Sequence, residues 1–156
     1  QLGNGGQMVP RLVNAPRVTS EINDASGVHI ITGGLGGLGL VTARWLASQG
    51  AAAIVLASRS GQLSKSGASG WSCLQASQTA VCLQRCDVAD GAAMRRLVCS
   101  AAGSGRSRVC GVWHSAGVLA DALLAQQSEE GLLRVLTPKV CGAQSLQSAF
   151  AASALC

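Results

Sequence analysis

Eight consecutive residues, Thr32-Gly33-Gly34-Leu35-Gly36-Gly37-Leu38-Gly39, carry the clearest chemistry in this chain. Glycines at this spacing let the backbone turn sharply and let a ligand approach main-chain N–H groups. The run follows the apolar segment Val28-His29-Ile30-Ile31. It leads into Leu40-Val41-Thr42-Ala43-Arg44-Trp45-Leu46-Ala47, whose apolar positions have helical spacing. Strand, glycine turn and helix in that order predict a dinucleotide site, because a helix N-terminus presents free N–H groups and a partial positive charge to a pyrophosphate. A merely flexible glycine loop would need neither flanking element. The tighter spacing TGxxxGxG is also satisfied, so Thr32 through Gly39 are all assigned to the nucleotide.

The end of the second strand chooses between nucleotides. An Asp or Glu about 20 residues beyond the glycines binds the free ribose hydroxyls of NAD, whereas an Arg accommodates the extra phosphate of NADP. Here the residues are Ser58-Arg59-Ser60, with no acid, and they predict NADPH. Asp87, with Val88 beside it, follows the third strand and is placed to accept a hydrogen bond from the adenine amino group; a second helix cap beside Asp90 is the competing role. Ala116-Gly117 let the backbone pass close to the nicotinamide ribose. His114, with no nearby acid or cysteine, is assigned to packing, and Lys139 taken alone is a solvated helix lysine.

The elements that position these residues alternate between strand and helix. Strands are expected at 28–32, 52–57, 80–84 and 108–114, and helices at 37–48, at 92–102 behind an Asp90 cap, and beyond the Ser128-Glu129-Glu130 start signal. Gly50 closes the first helix. The Ser/Gly-rich stretch 58–70 is expected to be a loop, with a short helix near 71–76. Pro138 is expected to kink the last helix. The pattern argues an α/β, Rossmann-like, doubly wound parallel sheet that is incomplete, with four strands in the order 3-2-1-4 where such sheets carry about six. The last strand would be an unprotected edge, exposing Val109, Val112 and Trp113.

Composition narrows the classes. At 156 residues the chain is one domain or part of one, and 48% apolar residues suffice for a core. Only Trp45, Trp71, Trp113 and Phe150 are aromatic, so the core must come from Ala, Val, Leu and Ile. The net charge is +5, but the basic residues are scattered and no basic stripe with interleaved aromatics is present, so an anionic cofactor or carrier is expected and nucleic acid is not. Seven cysteines, none in a CxxC pair or at zinc spacing from a histidine, read as reduced thiols of a cytoplasmic protein. The longest apolar run, 51–57, is too short to insert into a membrane, and the N-terminus lacks the layout of a signal peptide.

Five segments in order resemble one family: the glycine run 32–39, Ser58-Arg59-Ser60-Gly61, Cys86-Asp87-Val88-Ala89-Asp90, His114-Ser115-Ala116-Gly117-Val118-Leu119 and Pro138-Lys139-Val140-Cys141-Gly142-Ala143. Together they resemble the ketoreductase domain of modular polyketide synthases, a member of the short-chain dehydrogenase/reductase superfamily and near relative of the fatty acid synthase reductase. Gly6-Gln7-Met8-Val9-Pro10-Arg11-Leu12 resembles the last strand of the structural subdomain that precedes this half in such synthases. Residues 1–26 are therefore expected to be an incoming linker and strand, and 27–156 the cofactor-binding part of the domain, ending before its catalytic Ser and Tyr.

The resemblance implies NADPH-dependent reduction of a β-ketoacyl thioester, held on acyl carrier protein, to the β-hydroxyacyl thioester. It gives Lys139 the catalytic role of binding the nicotinamide ribose and favouring the phenolate of the family's tyrosine. It also places Asp121 at the position that governs stereochemistry, although Leu119-Ala120-Asp121 replaces the Leu-Asp-Asp of many members. The chain contains no tyrosine, so by itself it is expected to reduce nothing. A non-catalytic NADP-binding or scaffold module is the alternative from another class; the intact Lys139 favours the enzyme. Stand-alone reductases usually carry Asn-Asn-Ala-Gly where this chain has His114-Ser115-Ala116-Gly117.

Overall fold

A computed structural model describes residues 27–63, 67–103 and 108–153, so the expected linker and strand at 1–26 lie outside the described residues. Four strands form one parallel sheet: β1 (Val28–Thr32), β2 (Ala53–Ser58), β3 (Ala80–Arg85) and β4 (Val109–His114), in the order β3-β2-β1-β4. The helices α1 (Gly37–Ser48), α2 (Ala68–Gln75) and α3 (Gly91–Ala102) alternate with them, and α4 (Glu129–Leu136) and α5 (Gly142–Ser153) follow β4. This is the expected Rossmann-like arrangement.

β1 forms at the centre because Val28, Ile30 and Ile31 are apolar and Thr32 finds a side-chain partner in His114; all five of its residues are buried, and His29 alone among them has ring nitrogens without a hydrogen-bond partner. Its two faces meet different layers. Val28 and Ile30, with Val55 and Ala57 of β2, pack against Met94, Leu97, Val98 and Ala101 of α3 and Leu146 and Ala149 of α5. Ile31, with Ile54 and Leu56, packs against Leu40, Ala43 and Leu46 of α1 and Leu74 of α2. The apolar residues of α3 recur at i, i+3, i+4 and i+7, the spacing that turns one helical stripe to the sheet. The Asp90 carboxylate starts that helix by accepting from the N–H groups of Ala92 at 2.9 Å and Ala93 at 3.1 Å. Gly50, with φ +88°, ends the turn after α1.

The structure departs from the sequence expectation at several boundaries. β2 is shifted one residue, from 52–57 to Ala53–Ser58, and α2 begins at Ala68, inside the stretch expected to be loop. The serines and glycines there are tolerated because Leu74 is buried against α1 and β2, and tertiary burial outweighs weak local propensity. At Pro138 the α-helical pattern is interrupted, and the interruption takes the form of a π-helical turn, Thr137–Cys141, between α4 and α5. Nor is Trp113 an exposed edge residue: it is half-buried and meets Trp45 of α1 edge-to-face, with ring centroids 5.6 Å apart and planes at 78°. Val109 is half-buried as well, and Val112 alone of the three is exposed. Among the described residues no helix is long and apolar enough to cross a membrane, and no three metal-ligating side chains cluster.

Candidate functional site

A cleft of about 610 Å³ opens at the carboxyl ends of the strands. Its floor and walls include Gly33, Leu35 and Gly36 from the glycine loop, Ser58, Arg59 and Ser60 from the end of β2, and Ser115, Ala116 and Gly117 from the end of β4. Nine residues expected from sequence thus converge there once Val88 is added to Leu35, Arg59 and the rest. In an open α/β sheet this is the position where ligands bind, at the switch point where the chain order reverses from β1 toward β4.

The glycine loop is shaped by close approach. Gly33 has φ +65°, and a Cβ on it would stand 2.6 Å from the Ser115 carbonyl oxygen and 2.7 Å from the Ala116 nitrogen. A Cβ on Gly39 would stand 2.5 Å from the Gly33 carbonyl oxygen, and one on Gly34 would stand 2.9 Å from Leu56 Cα. Gly34 N–H donates to the Ala57 carbonyl at 3.1 Å and Gly36 N–H to Gly33 at 2.9 Å, so the loop is fastened to β2 and to itself. No side chain caps α1 and its first turn holds no acid, which leaves its leading N–H groups for an anion. The glycine run therefore divides by role. Gly33 and Gly36 face the cleft, Gly34 and Gly39 are buried and let backbone pass backbone, and Gly37 and Leu38 are exposed beyond the cleft lining. Thr32 is fully buried beneath it.

At the far end of the cleft the turn 58–62 is ordered by its own side chains. Ser58 Oγ accepts from Gly61 N–H at 2.9 Å and Ser60 Oγ from Gln62 N–H at 3.1 Å. Arg59 is exposed, and its main-chain carbonyl accepts from Arg85 Nε at 3.0 Å, which anchors the Arg85 guanidinium beside the turn. Gln62, Cys86, Ser115 and Pro138 also line the cleft and were not legible as site residues: Gln62 enters through the local turn 58–62, and the other three only where the strand ends and the helical turn after β4 come together. The one available signal was adjacency: Ser115 and Pro138 flank residues already assigned.

Asp87 is exposed and does not line the cleft, although its neighbours Cys86 and Val88 do. One of its carboxylate oxygens accepts from Ala89 N–H at 3.0 Å in a local turn, and the cap of α3 belongs to Asp90. Backbone donation from Ala93 and then Ala92 holds the Asp90 carboxyl below its ordinary pKa. Burial, with the Asp87 and Asp90 carboxylates nearby, pushes the Cys86 thiol up. Lys139 is exposed at the centre of the π-helical turn, and its Cε lies 3.5 Å from where a Gly117 Cβ would be, which puts it over the wall formed by Gly117 and Pro138. Asp121 lies in the exposed loop after β4, apart from the cleft lining. His114 is not a packing residue: it is exposed and hydrogen-bonds Thr32 Oγ1 at 2.7 Å and the Pro138 carbonyl at 3.0 Å.

Parallel sheet, switch-point cleft and glycine loop define a nucleotide-binding α/β fold of the short-chain reductase kind, whose cofactor is a nicotinamide dinucleotide. The KR domain family matches residues 27–155, and the chain belongs to that family. It is 41% identical over 126 residues to a phenolphthiocerol/phthiocerol polyketide synthase of Mycobacterium tuberculosis, covering 81% of this chain and 6% of that protein. It is 36% identical over 147 residues to chalcone synthase cfoA of Aspergillus candidus, covering 91% of this chain and 5% of that one. Among solved structures, an A1-type ketoreductase superposes with a TM-score of 0.78 at 31% identity, covering 90% of this chain and 29% of the other. The chain thus spans about one twentieth of the curated relatives and under a third of that ketoreductase structure. It is part of a polyketide-synthase ketoreductase domain.

Proposed function

We propose that this chain is the cofactor-binding part of an NADPH-dependent β-ketoacyl reductase, acting on a thioester carried by acyl carrier protein within a multidomain, cytoplasmic synthase. The observation that carries this reading is the pairing of the Gly33 approach to Ser115-Ala116 with an arginine, and no acid, at the end of β2. When bound, the reduced nicotinamide supplies the hydride for the ketone carbon. The chain's own residues do the holding. The leading N–H groups of α1 take the pyrophosphate, and Arg59 takes the 2′-phosphate by charge-assisted hydrogen bonds, with Ser58 and Ser60 shaping the turn beneath it. Asp87 and Val88 bound the adenine side.

Ala116 and Gly117 let the nicotinamide ribose lie against the backbone of the β4 end. Lys139, beside Gly117, hydrogen-bonds that ribose, and its ammonium favours the ionised form of a nearby acid. Asp121 borders the substrate side. A chain with no tyrosine lacks the family's proton donor, so these 156 residues alone are inactive.

The test joins residues 1–156 to the serine- and tyrosine-bearing segment of a related ketoreductase and follows NADPH oxidation with a β-ketoacyl thioester. Turnover by the fusion, its loss in the Lys139→Met fusion, and none by the unfused chain are expected. Turnover by the unfused chain, or Lys139→Met turning over as fast as the parent fusion, would overturn the reading.

A further inference from the structure

Thr32 ends β1, His114 ends β4, and the register places them side by side. The imidazole uses both nitrogens: Nδ1 meets Thr32 Oγ1 at 2.7 Å, and Nε2 meets the Pro138 carbonyl at 3.0 Å, 24 residues further on. A carbonyl only accepts, so Nε2 carries a hydrogen, and in the neutral ring the lone pair on Nδ1 then accepts from the threonine hydroxyl. One neutral tautomer is thereby selected.

The Pro138 carbonyl is open to this bond because the backbone leaves the α-helical pattern there: Gly142 N–H donates to the carbonyls of Thr137 and Lys139. Gly142 is also where the turn meets the imidazole. A Cβ on it would lie 2.9 Å from Val88 Cγ2 and 3.0 Å from His114 Cε1, so only glycine lets the turn come so near. The glycine loop, by contrast, does not depend on the imidazole for its place, because Thr32 O also accepts from Ser115 Oγ at 2.7 Å and Ser115 N–H at 3.1 Å.

We infer that His114 is a positioning residue: it anchors the Pro138 carbonyl and so fixes Lys139 against Gly117, at the nicotinamide end of the cleft. The inference rests on the proposed contact of Lys139 with the nicotinamide ribose. Loss of the imidazole releases the Lys139 turn and leaves the adenosine end intact.

Two measurements on the 156-residue chain test it. Long-range ¹H–¹⁵N spectra of the free protein report the His114 tautomer, and the Nε2–H form is expected; the Nδ1–H form would refute the geometry whatever the chain binds. Calorimetry then compares NADPH with 2′,5′-ADP, which lacks the nicotinamide half. His114→Ala weakens NADPH roughly tenfold, the loss of about one hydrogen bond, and leaves 2′,5′-ADP within about twofold. His114→Gln, which keeps a donor toward Pro138, recovers most of the NADPH affinity. In a Lys139→Ala background His114→Ala adds no further loss, as coupling through one residue requires. Equal weakening of both ligands, an additive double variant, or no recovery in His114→Gln would overturn the inference. If His114→Ala fails to fold, His114→Asn, whose shorter amide can accept from Thr32 at the place of Nδ1 but does not extend to the Pro138 carbonyl, replaces it. Failure of the unaltered chain to bind either ligand would refute the proposed function and leave the tautomer result standing.

Discussion

Two glycines four residues apart in the same loop should respond to alanine with opposite signs. Gly33 combines a positive φ with backbone contacts: a Cβ there meets Ser115 O at 2.6 Å and Ser115 C and Ala116 N at 2.7 Å. The left-handed conformation costs a non-glycine residue about 1–2 kcal/mol. Forcing an extra methyl against fixed backbone costs about 1–3 kcal/mol more. Gly33→Ala should therefore lose about 2–5 kcal/mol of unfolding free energy. Gly37, the first residue of α1, has no atom within 4 Å of its Cβ position and no positive φ. Gly37→Ala should gain about 0.4–1 kcal/mol, because alanine narrows the unfolded ensemble without straining the folded one. Urea unfolding followed by tryptophan fluorescence measures both, with the slope m checked for constancy. Two variants within about 1 kcal/mol of each other would show that the loop is not held as described, since the calculation separates them by several times that.

Other consequences are independent of the glycines. Asp90 has a folded pKa below its ordinary 3.8, so its contribution is present above that value and is lost as pH falls through the folded pKa. An NMR titration midpoint below 3.8, with a flatter acid limb of stability in Asp90→Asn, is expected; a midpoint at or above it contradicts the cap. The Cys86 thiol, buried and raised above 9.0, should be alkylated by iodoacetamide at pH 8 more slowly than the exposed Cys73, Cys82, Cys99 and Cys141. Mass spectrometry finding Cys86 as reactive as these four would count against its placement. Leu46, with no exposed surface, should cost about 2–5 kcal/mol when cut to alanine, and a loss under about 1 kcal/mol would mean that α1 is not seated on β1 and β2.

The central strands and the glycine loop could be read in advance because their cause is local. Val28, Ile30 and Ile31 put apolar side chains on both faces of the strand, as a strand covered on both sides does, and the glycines follow Thr32 directly. The π-helical turn was not legible: Pro138 reveals a missing N–H, not how Gly142 is shared between the Thr137 and Lys139 carbonyls. His114 was misassigned to packing for a related reason. Its partners, Thr32 and Pro138, lie 82 and 24 residues away, and only the sheet register and the helix that follows bring them within reach. Trp113 likewise finds Trp45 only once α1 crosses the sheet. The Asp90 cap was legible because an acid directly before a helical pattern is a local signal, and the hydrogen bonds bear it out, whereas the competing cap role of Asp87 is excluded only by its own turn with Ala89.

Arg59 and the glycine loop together are proposed to make the cleft selective for one nucleotide over the other. Isotope-labelled protein titrated with NADPH and with NADH, followed by amide chemical shifts, tests it in one series. The account predicts that NADPH binds roughly 10- to 100-fold more tightly, the difference expected of a charged hydrogen bond to the 2′-phosphate, and that Arg59→Ala removes the difference. The shifted amides should include Gly33, Gly36, Arg59, Ala116 and Gly117. Equal affinity for the two nucleotides, or shifts that leave the glycine loop untouched, would contradict it.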